Sequence, residues 1–301
     1  MLDSGLGFPA RRQPRSPTQD PKSATMTRQI TSSMVTVTFS TKRAILPARM
    51  VHRVGTLAGA DGLDVDATTA PGGWLAARLA ASDAADMAVR TLWVPAGEYR
   101  SAASRRLIEN IADRQPDTRL SVVVALPAAT TFHELTTHLA LSGSPFHSIP
   151  LVLGLPSAAL KGGRPHLVQL GGIRRFAEEW DLSVAVDLSG QFDPTWEAEA
   201  AILRLGERLT ILRINASAPS RAAVGRDRVA CRALHAAMDR DHVLEVAVAP
   251  EKSVPFPITP RVASYGARRA ADYIAERAAF HARALRDGIS RYEGSPSPRG
   301  I

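Results

Sequence analysis

Six polar side chains that could do chemistry occur within or directly after short apolar runs of the sequence. They are Asp64 and Asp66 in GLDVDAT, Asp187 in LSVAVDL, Arg213 and Asn215 in LTILRIN, and Glu245 in VLEVAVA. Carboxylates can transfer protons or hold a divalent cation, and a guanidinium group can bind a phosphate or carboxylate with two hydrogen bonds. Such chemistry requires a scaffold that turns these side chains toward one point.

The remainder of the sequence alternates β-rich runs with helical runs. Runs enriched in Val, Ile and Leu predict eight strands: Met34–Ser40, Gly62–Thr68, Met87–Val94, Arg119–Pro127, Ile149–Leu155, Leu182–Leu188, Leu209–Ala216 and Val243–Ala249. Helical patterns lie between and after them, most clearly at 167–180, 194–208, 226–238 and 267–286. This alternation predicts βα units and a parallel sheet.

The number of units favours a closed barrel over an open sheet. Eight units over about 255 residues match an α/β fold of the (β/α)₈ TIM-barrel type, with one domain spanning 34–288. No G-x-G-x-x-G follows the first strand, so the dinucleotide-binding form of an open sheet has no support. Residues 1–33 are rich in Pro, Ser, Arg and Thr, which predicts a disordered tail, and 289–301 form a second tail.

The side-chain alternation of a strand predicts which residues face the barrel lumen. In the sixth strand, Val184, Val186 and Leu188 form a bulky row suited to packing against helices, so Asp187 is predicted to face inward. The same reasoning turns five further polar residues inward: Asp64, Asp66, Arg213, Asn215 and Glu245. In the third strand, the row of Val89, Thr91 and Trp93 and the row of Ala88, Arg90, Leu92 and Val94 are both compatible with the lumen.

The ends of the strands predict the location of the site. Active sites of these barrels lie at the carboxyl ends of the strands, where Asp66, Asp187 and Asn215 are expected, whereas Glu245 comes earlier in its strand. Charges in a lumen are costly unless they are paired or bound to something. Arg213 and Glu245 occupy inward positions on neighbouring strands, so either they pair or Arg213 binds an anionic ligand.

Four segments together resemble the xylose isomerase-like barrel superfamily, which includes sugar-phosphate isomerases and epimerases. These segments are GADGLDVD, LSVAVDLSG, ILRIN and HVLEVAV, and the resemblance covers Met34 to about Gly288. Active relatives hold Mn²⁺, Mg²⁺ or Zn²⁺ with Glu, Asp, His and Glu. The resemblance implies that Asp187 is the metal-ligating Asp of strand six, that Glu245 is the Glu of strand eight, and that Asp64 is the acidic residue of strand two.

The sequence also departs from that family pattern. No acid occurs in IPLVLGLP, where the family has a Glu, and no His follows Asp187 in Leu188–Gln191. Strand seven carries Arg213 and Asn215 in place of the family's His and Lys-Asp. At most two of the four ligands remain, so the resemblance is compatible with a divalent metal on Asp187 and Glu245 or with no metal.

Two functions follow as hypotheses. The first is an isomerase or epimerase of a sugar or sugar phosphate, in which Asp187 and Glu245 hold a metal or act as acid and base. Four residues would position the substrate: Arg213, Asn215, Asp64 and Asp66. The alternative is a non-catalytic barrel that has lost the metal site and binds a small anionic ligand or a protein partner.

Composition excludes several other classes of function. The net charge is +8, but only four of the 37 basic residues are lysines and aromatic residues make up only 5%, so we expect no nucleic-acid partner. The sequence contains no run of about 18 apolar residues, so we expect no membrane span. The absence of a targeting signal leads us to expect a cytoplasmic protein. Cys231 is the sole cysteine, which excludes an internal disulfide.

Overall fold

The computed structural model describes residues 35–42, 48–68, 87–126, 149–155, 167–190, 198–216, 225–238, 244–249 and 264–279. The chain divides into two units, Met1–Thr31 and Ser32–Ile301, and the described residues all belong to the second. The predicted tails at 1–33 and 289–301 lie outside the described residues.

Eight parallel strands close into a barrel. They are β1 Val35–Ser40, β2 Gly62–Asp66, β3 Val89–Pro95, β4 Ser121–Ala125, β5 Leu151–Leu155, β6 Ser183–Asp187, β7 Leu209–Asn215 and β8 Leu244–Ala249. Each pairs with its neighbours in sequence, and β1 also pairs with β8, which completes the circle. The predicted parallel barrel is confirmed, with every strand boundary within two residues of its prediction.

The described helices lie in the connections between strands and after the last strand. They are α1 Ala48–Leu57, α2 Ala102–Arg114, α3 Leu167–Glu179, α4 Ala198–Leu205, α5 Gly225–Met238 and α6 at 264–279, with a 3₁₀ turn at Gly206–Arg208. A crossover between parallel strands requires a connection of this length. None of the described helices is long and apolar enough to cross a membrane.

Alternate residues of each strand belong to two separate cores. Val184, Val186 and Leu188 pack in the larger core between the sheet and the helices, as the sequence predicts. A smaller apolar cluster, which we call the apolar wall, fills one side of the lumen: Trp93, Val123, Ala125, Val152, Ala185 and Ile211. Polar residues of β1, β2, β3, β6, β7 and β8 occupy the rest of the lumen.

A register shift decides the orientation of the third strand. Leu63 is opposite Val89, but Asp64 is opposite Thr91, so Arg90 is an extra residue in the pairing. The shift places Thr91 and Trp93 in the lumen and leaves Leu92 and Val94 in the outer core. The structure thus settles a choice that the sequence left open.

Glycine at position 154 makes room for the tryptophan of the apolar wall. A Cβ atom at Gly154 on β5 would lie 2.6 Å from Val123 and 2.8 Å from Trp93. Contacts that short do not occur between real side chains, so neighbouring groups would have to shift. Gly154 therefore allows the large indole ring to fill the lumen.

The GADG segment positions β2 relative to β1. Gly59 adopts a φ of +71° just after α1, a conformation in which glycine carries no steric penalty. Asp61 then donates its backbone N–H to Val37 O at 2.7 Å and accepts the Val37 N–H at Oδ2 at 2.9 Å. This double contact holds the start of β2 against β1, and Asp64 and Asp66 follow as the third and fifth residues of β2.

Candidate functional site: a charged cluster in the lumen

Arg213 is the centre of the site and is fully buried. From β7 it reaches across the lumen to β2, where Nε and Nη2 donate to the two oxygens of Asp64 at 2.7 and 3.0 Å. Nη1 donates to Asp66 Oδ2 at 2.6 Å and lies 3.4 Å from Asp187 Oδ2 on β6. The structure thus brings together four residues that the sequence predicts for the site.

Lys42 joins this group from the end of β1. Its Nζ forms a salt bridge with Asp187 Oδ2, the same oxygen that Arg213 contacts. The Lys42 side chain is 10% exposed, against 0% for Asp187 and Arg213. We call Lys42, Asp64, Asp66, Asp187 and Arg213 the charged cluster. Lys42 is its most accessible member, because the other four side chains are at most 1% exposed.

Sequence reasoning missed Lys42, although one signal was available. Lys42 follows the first strand by two residues, which places it at the carboxyl ends of the strands, where barrel sites lie. It is also one of only four lysines in the chain. The spacing alone does not show that its side chain turns inward, because the turn after β1 sets that direction.

Two of the aspartates also hold their own loops. Asp66 Oδ1 accepts hydrogen bonds from Thr68 N at 2.8 Å and Thr68 Oγ1 at 2.5 Å. Asp187 Oδ1 accepts from Ser189 N at 2.9 Å and Ser189 Oγ at 2.6 Å. An aspartate that bonds the backbone two residues on is a common turn device. In both residues it fixes one carboxylate oxygen and leaves Oδ2 to face the cations.

Burial and ion pairing oppose each other throughout the charged cluster. Burial alone would raise the pKa of Asp187, but Lys42 and Arg213 together lower it to about 2. Burial raises the pKa of Asp64 in spite of the attraction of Arg213. Burial would lower the pKa of Arg213, but Asp64, Asp66 and Asp187 raise it above its usual value. Arg213 is therefore a permanent cation.

Trp93 forms the wall beside this cation. The Arg213 guanidinium carbon lies 4.1 Å from the centroid of the Trp93 ring, a cation–π contact. The indole Nε1 is buried, and among the described residues it has no hydrogen-bond partner. A buried donor without a partner costs free energy, so this N–H is suited to a polar group that enters the lumen.

Glu245 lies deeper in the lumen than the charged cluster. In the register it is opposite Ile211, two residues before Arg213. Its Oε1 accepts hydrogen bonds from Thr38 Oγ1 at 3.1 Å and from Thr91 Oγ1. Burial raises the pKa of Glu245 to about 7, because the two hydroxyl groups offset only part of the desolvation.

The alternative in which Arg213 pairs with Glu245 is wrong. Among the described residues, the salt bridges of Arg213 go to Asp64, Asp66 and Asp187. The long Arg213 side chain extends to the aspartates of β2 and β6 and leaves Glu245 to the threonines. Register proximity on neighbouring strands therefore gave the wrong partner.

Asn215 is the last residue of β7 and lies opposite Ala249 at the carboxyl ends of the strands. Its side chain is partly buried. The sequence also predicts Asn215 at the carboxyl ends of the strands, and its role in substrate binding stays a prediction.

The donor set of these acids does not fit the divalent metal that the resemblance implies. Asp187 accepts hydrogen bonds at both oxygens, and Lys42 and Arg213 share the one that faces the lumen. Two cationic side chains thus lie where a divalent ion would need this aspartate, and like charges repel. Within the described ranges, no group of three or more His, Cys, Asp or Glu side chains is placed to hold a metal ion.

Comparison with known proteins finds similarity in solved structures. The barrel is similar to the apo crystal structure of 3-keto-D-glucoside 4-epimerase from E. coli, with a TM-score of 0.47 and 14% sequence identity over 80% of this chain and 99% of that chain. No family model and no curated protein matches the sequence.

Proposed function

We propose that this barrel binds a carbohydrate at the carboxyl ends of its strands and catalyses an isomerisation or epimerisation by proton transfer. The observation that supports the proposal is the charged cluster itself. Carboxylates from β2 and β6 meet cations from β7 and from the turn after β1 toward the carboxyl ends of the strands, where such sites lie. The resemblance of the strand motifs to sugar-phosphate isomerases and epimerases agrees with this assignment.

Asp187 is the proton acceptor in this proposal. Its pKa of about 2 depends on the attraction of Lys42 and Arg213, so Asp187 is a weak base while both cations face it. When Lys42 turns toward a bound substrate, part of that attraction is lost and the basicity of Asp187 increases. Substrate binding thus prepares the base.

The surroundings of Asp187 supply groups that recognise hydroxyls. The Trp93 N–H is a buried donor at the level of Asp66, its register partner, and a sugar oxygen can accept its hydrogen bond. We place Asn215 at the same end of the barrel as a second contact to the substrate. Arg213, Asp64 and Asp66 hold one another and act on the substrate through the position of Asp187.

We place Glu245 below the substrate. Its pKa of about 7 suits an acid–base group, but its carboxyl group is held by Thr38 and Thr91 at a deeper level than the charged cluster. Its catalytic role in the sequence-based hypothesis stays a prediction. A loss of exchange in Glu245→Gln that equals the loss in Asp187→Asn would restore that role.

An isotope-exchange experiment tests the proposed function. The protein is incubated in D₂O with a panel of aldoses, ketoses and their phosphates, and deuterium at the carbon next to the carbonyl is measured by NMR. We expect exchange with at least one sugar and a loss of about 100-fold or more in Asp187→Asn. Asp181→Asn is the matched control, because this residue makes the same charge change at an exposed site with a φ of 49° that Asn tolerates.

One observation favours the alternative of a non-catalytic barrel. The oxygens of Asp64, Asp66 and Asp187 are hydrogen-bonded to protein groups, so the charged cluster is complete without a substrate. A sugar or small anion that raises the melting temperature without any exchange would support this alternative. Such a result would overturn the catalytic proposal.

A further inference from the structure

We propose that the Lys42 ammonium group takes the place of a divalent cation as the electrophile of this site. The inference rests on the proposed function and adds to it the group that polarises the substrate carbonyl. It is carried by the geometry of two cations that share one carboxylate oxygen, Asp187 Oδ2, at the carboxyl end of the barrel.

Of these two cations, only Lys42 is suited to reach a substrate. Arg213 is held by hydrogen bonds to both oxygens of Asp64 and to Asp66, and its side chain is fully buried. Lys42 lies in the turn after β1 on a flexible four-carbon stem, and its side chain is 10% exposed. Arg213 therefore fixes the aspartates, and the flexible stem of Lys42 allows its ammonium group to turn from Asp187 to a ligand oxygen within the same site.

The chemistry needs no co-reactant. The substrate carbonyl oxygen accepts a hydrogen bond from Lys42 Nζ while the proton on the adjacent carbon moves to Asp187. The electron pair of the broken C–H bond forms the new C=C bond, and the carbonyl pair moves to oxygen to give an enediolate that the ammonium charge stabilises. Asp187 then returns the proton to the former carbonyl carbon while the hydroxyl proton of the adjacent carbon passes to the former carbonyl oxygen, which completes an isomerisation with no net oxidation. In an epimerisation, water supplies a proton to the opposite face of the same carbon, and Asp187 releases its own proton to solvent.

The charge balance of the cluster makes a separate prediction about metal ions. When all the groups are ionised, three aspartates exceed two cations by one negative charge. Removal of the Lys42 charge raises the excess within the charged cluster to two and leaves Arg213, at 3.4 Å, as the remaining cation of Asp187 Oδ2 among the described residues. Oxygen ligands with excess negative charge bind Mg²⁺ or Mn²⁺. A divalent cation should therefore enter the site only when Lys42 is removed.

A Mn²⁺ titration followed by the electron paramagnetic resonance signal of free Mn²⁺ tests this prediction without any substrate. We expect the wild-type protein to bind no Mn²⁺ below about 1 mM. Lys42→Ala should bind one ion at least tenfold more tightly than wild type, and Lys42→Ala/Asp187→Asn should lose it. If Lys42→Ala does not fold, Lys42→Ser serves in its place. Tight Mn²⁺ binding by wild type that is lost in Asp187→Asn would overturn the proposal, and so would no gain of affinity in the folded Lys42 variant.

Rescue experiments on the isotope exchange separate an electrophile from a structural lysine. Wild-type exchange should survive EDTA, and Lys42→Met should lower kcat by about 100-fold or more with a smaller change in KM. Added ethylamine should restore part of the exchange in Lys42→Ala, because its ammonium group fits the space of the missing side chain. Loss of wild-type exchange in EDTA, or no rescue by ethylamine, would contradict the role of Lys42. If no sugar exchanges at all, the proposed function fails, while the Mn²⁺ titration still decides whether Lys42 occupies a cation site.

Discussion

Asp187 and Glu245 are acids of one lumen whose pKa values move in opposite directions. Asp187 faces Lys42 and Arg213, and its pKa falls to about 2. Glu245 lies deeper and receives hydrogen bonds from Thr38 and Thr91, and its pKa rises to about 7. Neutral hydroxyl donors compensate burial less than cations do. The upper level of the lumen, formed by the charged cluster, therefore holds fixed charges, and the lower level, at Glu245, holds a carboxyl group that can carry a proton.

Removal of Arg213 should have the largest effect on stability, because Arg213 contacts all three aspartates of the charged cluster. Arg213→Met leaves Asp64 and Asp66 buried without their cation, and we expect a loss of about 4 kcal/mol in the free energy of unfolding by urea. Arg232→Met is the matched control, since Arg232 pairs with Glu199 at the surface and its loss should cost at most about 0.5 kcal/mol. Equal stability of the two variants would show that the aspartates do not depend on Arg213.

The lower level is tested by Glu245→Gln. The folded-state pKa of Glu245, about 7, lies above its ordinary value of 4.5, so its contribution to stability is present below pH 4.5 and is lost as the pH rises to about 7. Glutamine stays neutral, so the variant should exceed wild type at pH 8 by about 2 kcal/mol, a value reduced for the partial exposure of the residue. Urea unfolding between pH 5 and 8 measures the difference. Parallel stability profiles of wild type and variant would contradict the raised pKa.

A substitution in the apolar wall should change the free energy of unfolding less than the substitutions on the polar side of the lumen. Gly154→Ala adds a methyl group within 2.8 Å of Trp93 and should lower the free energy of unfolding by about 1 to 2 kcal/mol. Gly171→Ala is the control, because no atom lies within 4 Å of the added group and alanine favours the helix. It should stabilise the protein by up to about 1 kcal/mol. A neutral Gly154→Ala would mean that the wall is more loosely packed than its contacts indicate.

The sequence predicts the barrel well because the relevant signals are local. Short Val- and Ile-rich runs mark the strands, and the bulky row of Val184, Val186 and Leu188 shows which side of β6 faces the helices. The strand-three ambiguity arose because the extra residue Arg90 in the pairing breaks the alternation. A register shift depends on the neighbouring strand, and the pattern of one strand does not contain it.

The partners of the site residues were harder to predict than their positions. Asp64, Asp66, Asp187 and Arg213 do meet in the lumen, as their alternation predicts. The predicted pairing of Arg213 with Glu245 is wrong because the long Arg213 side chain crosses the lumen to the aspartates of β2 and β6. Lys42 was missed because a turn, not a strand, directs it. The D-x-T and D-x-S spacings of Asp66 and Asp187 were the unused local signals for aspartates that hold their own loops.

A crystal structure of the protein grown with Mn²⁺, with an anomalous difference map at the manganese edge, shows whether side-chain cations or a metal ion neutralise the acids of the lumen. We predict Lys42 Nζ and the Arg213 guanidinium group against Asp187 Oδ2, with no anomalous peak among the acids of the lumen. A manganese peak coordinated by Asp187, with Lys42 turned away from it, would contradict a site in which side-chain cations replace the metal.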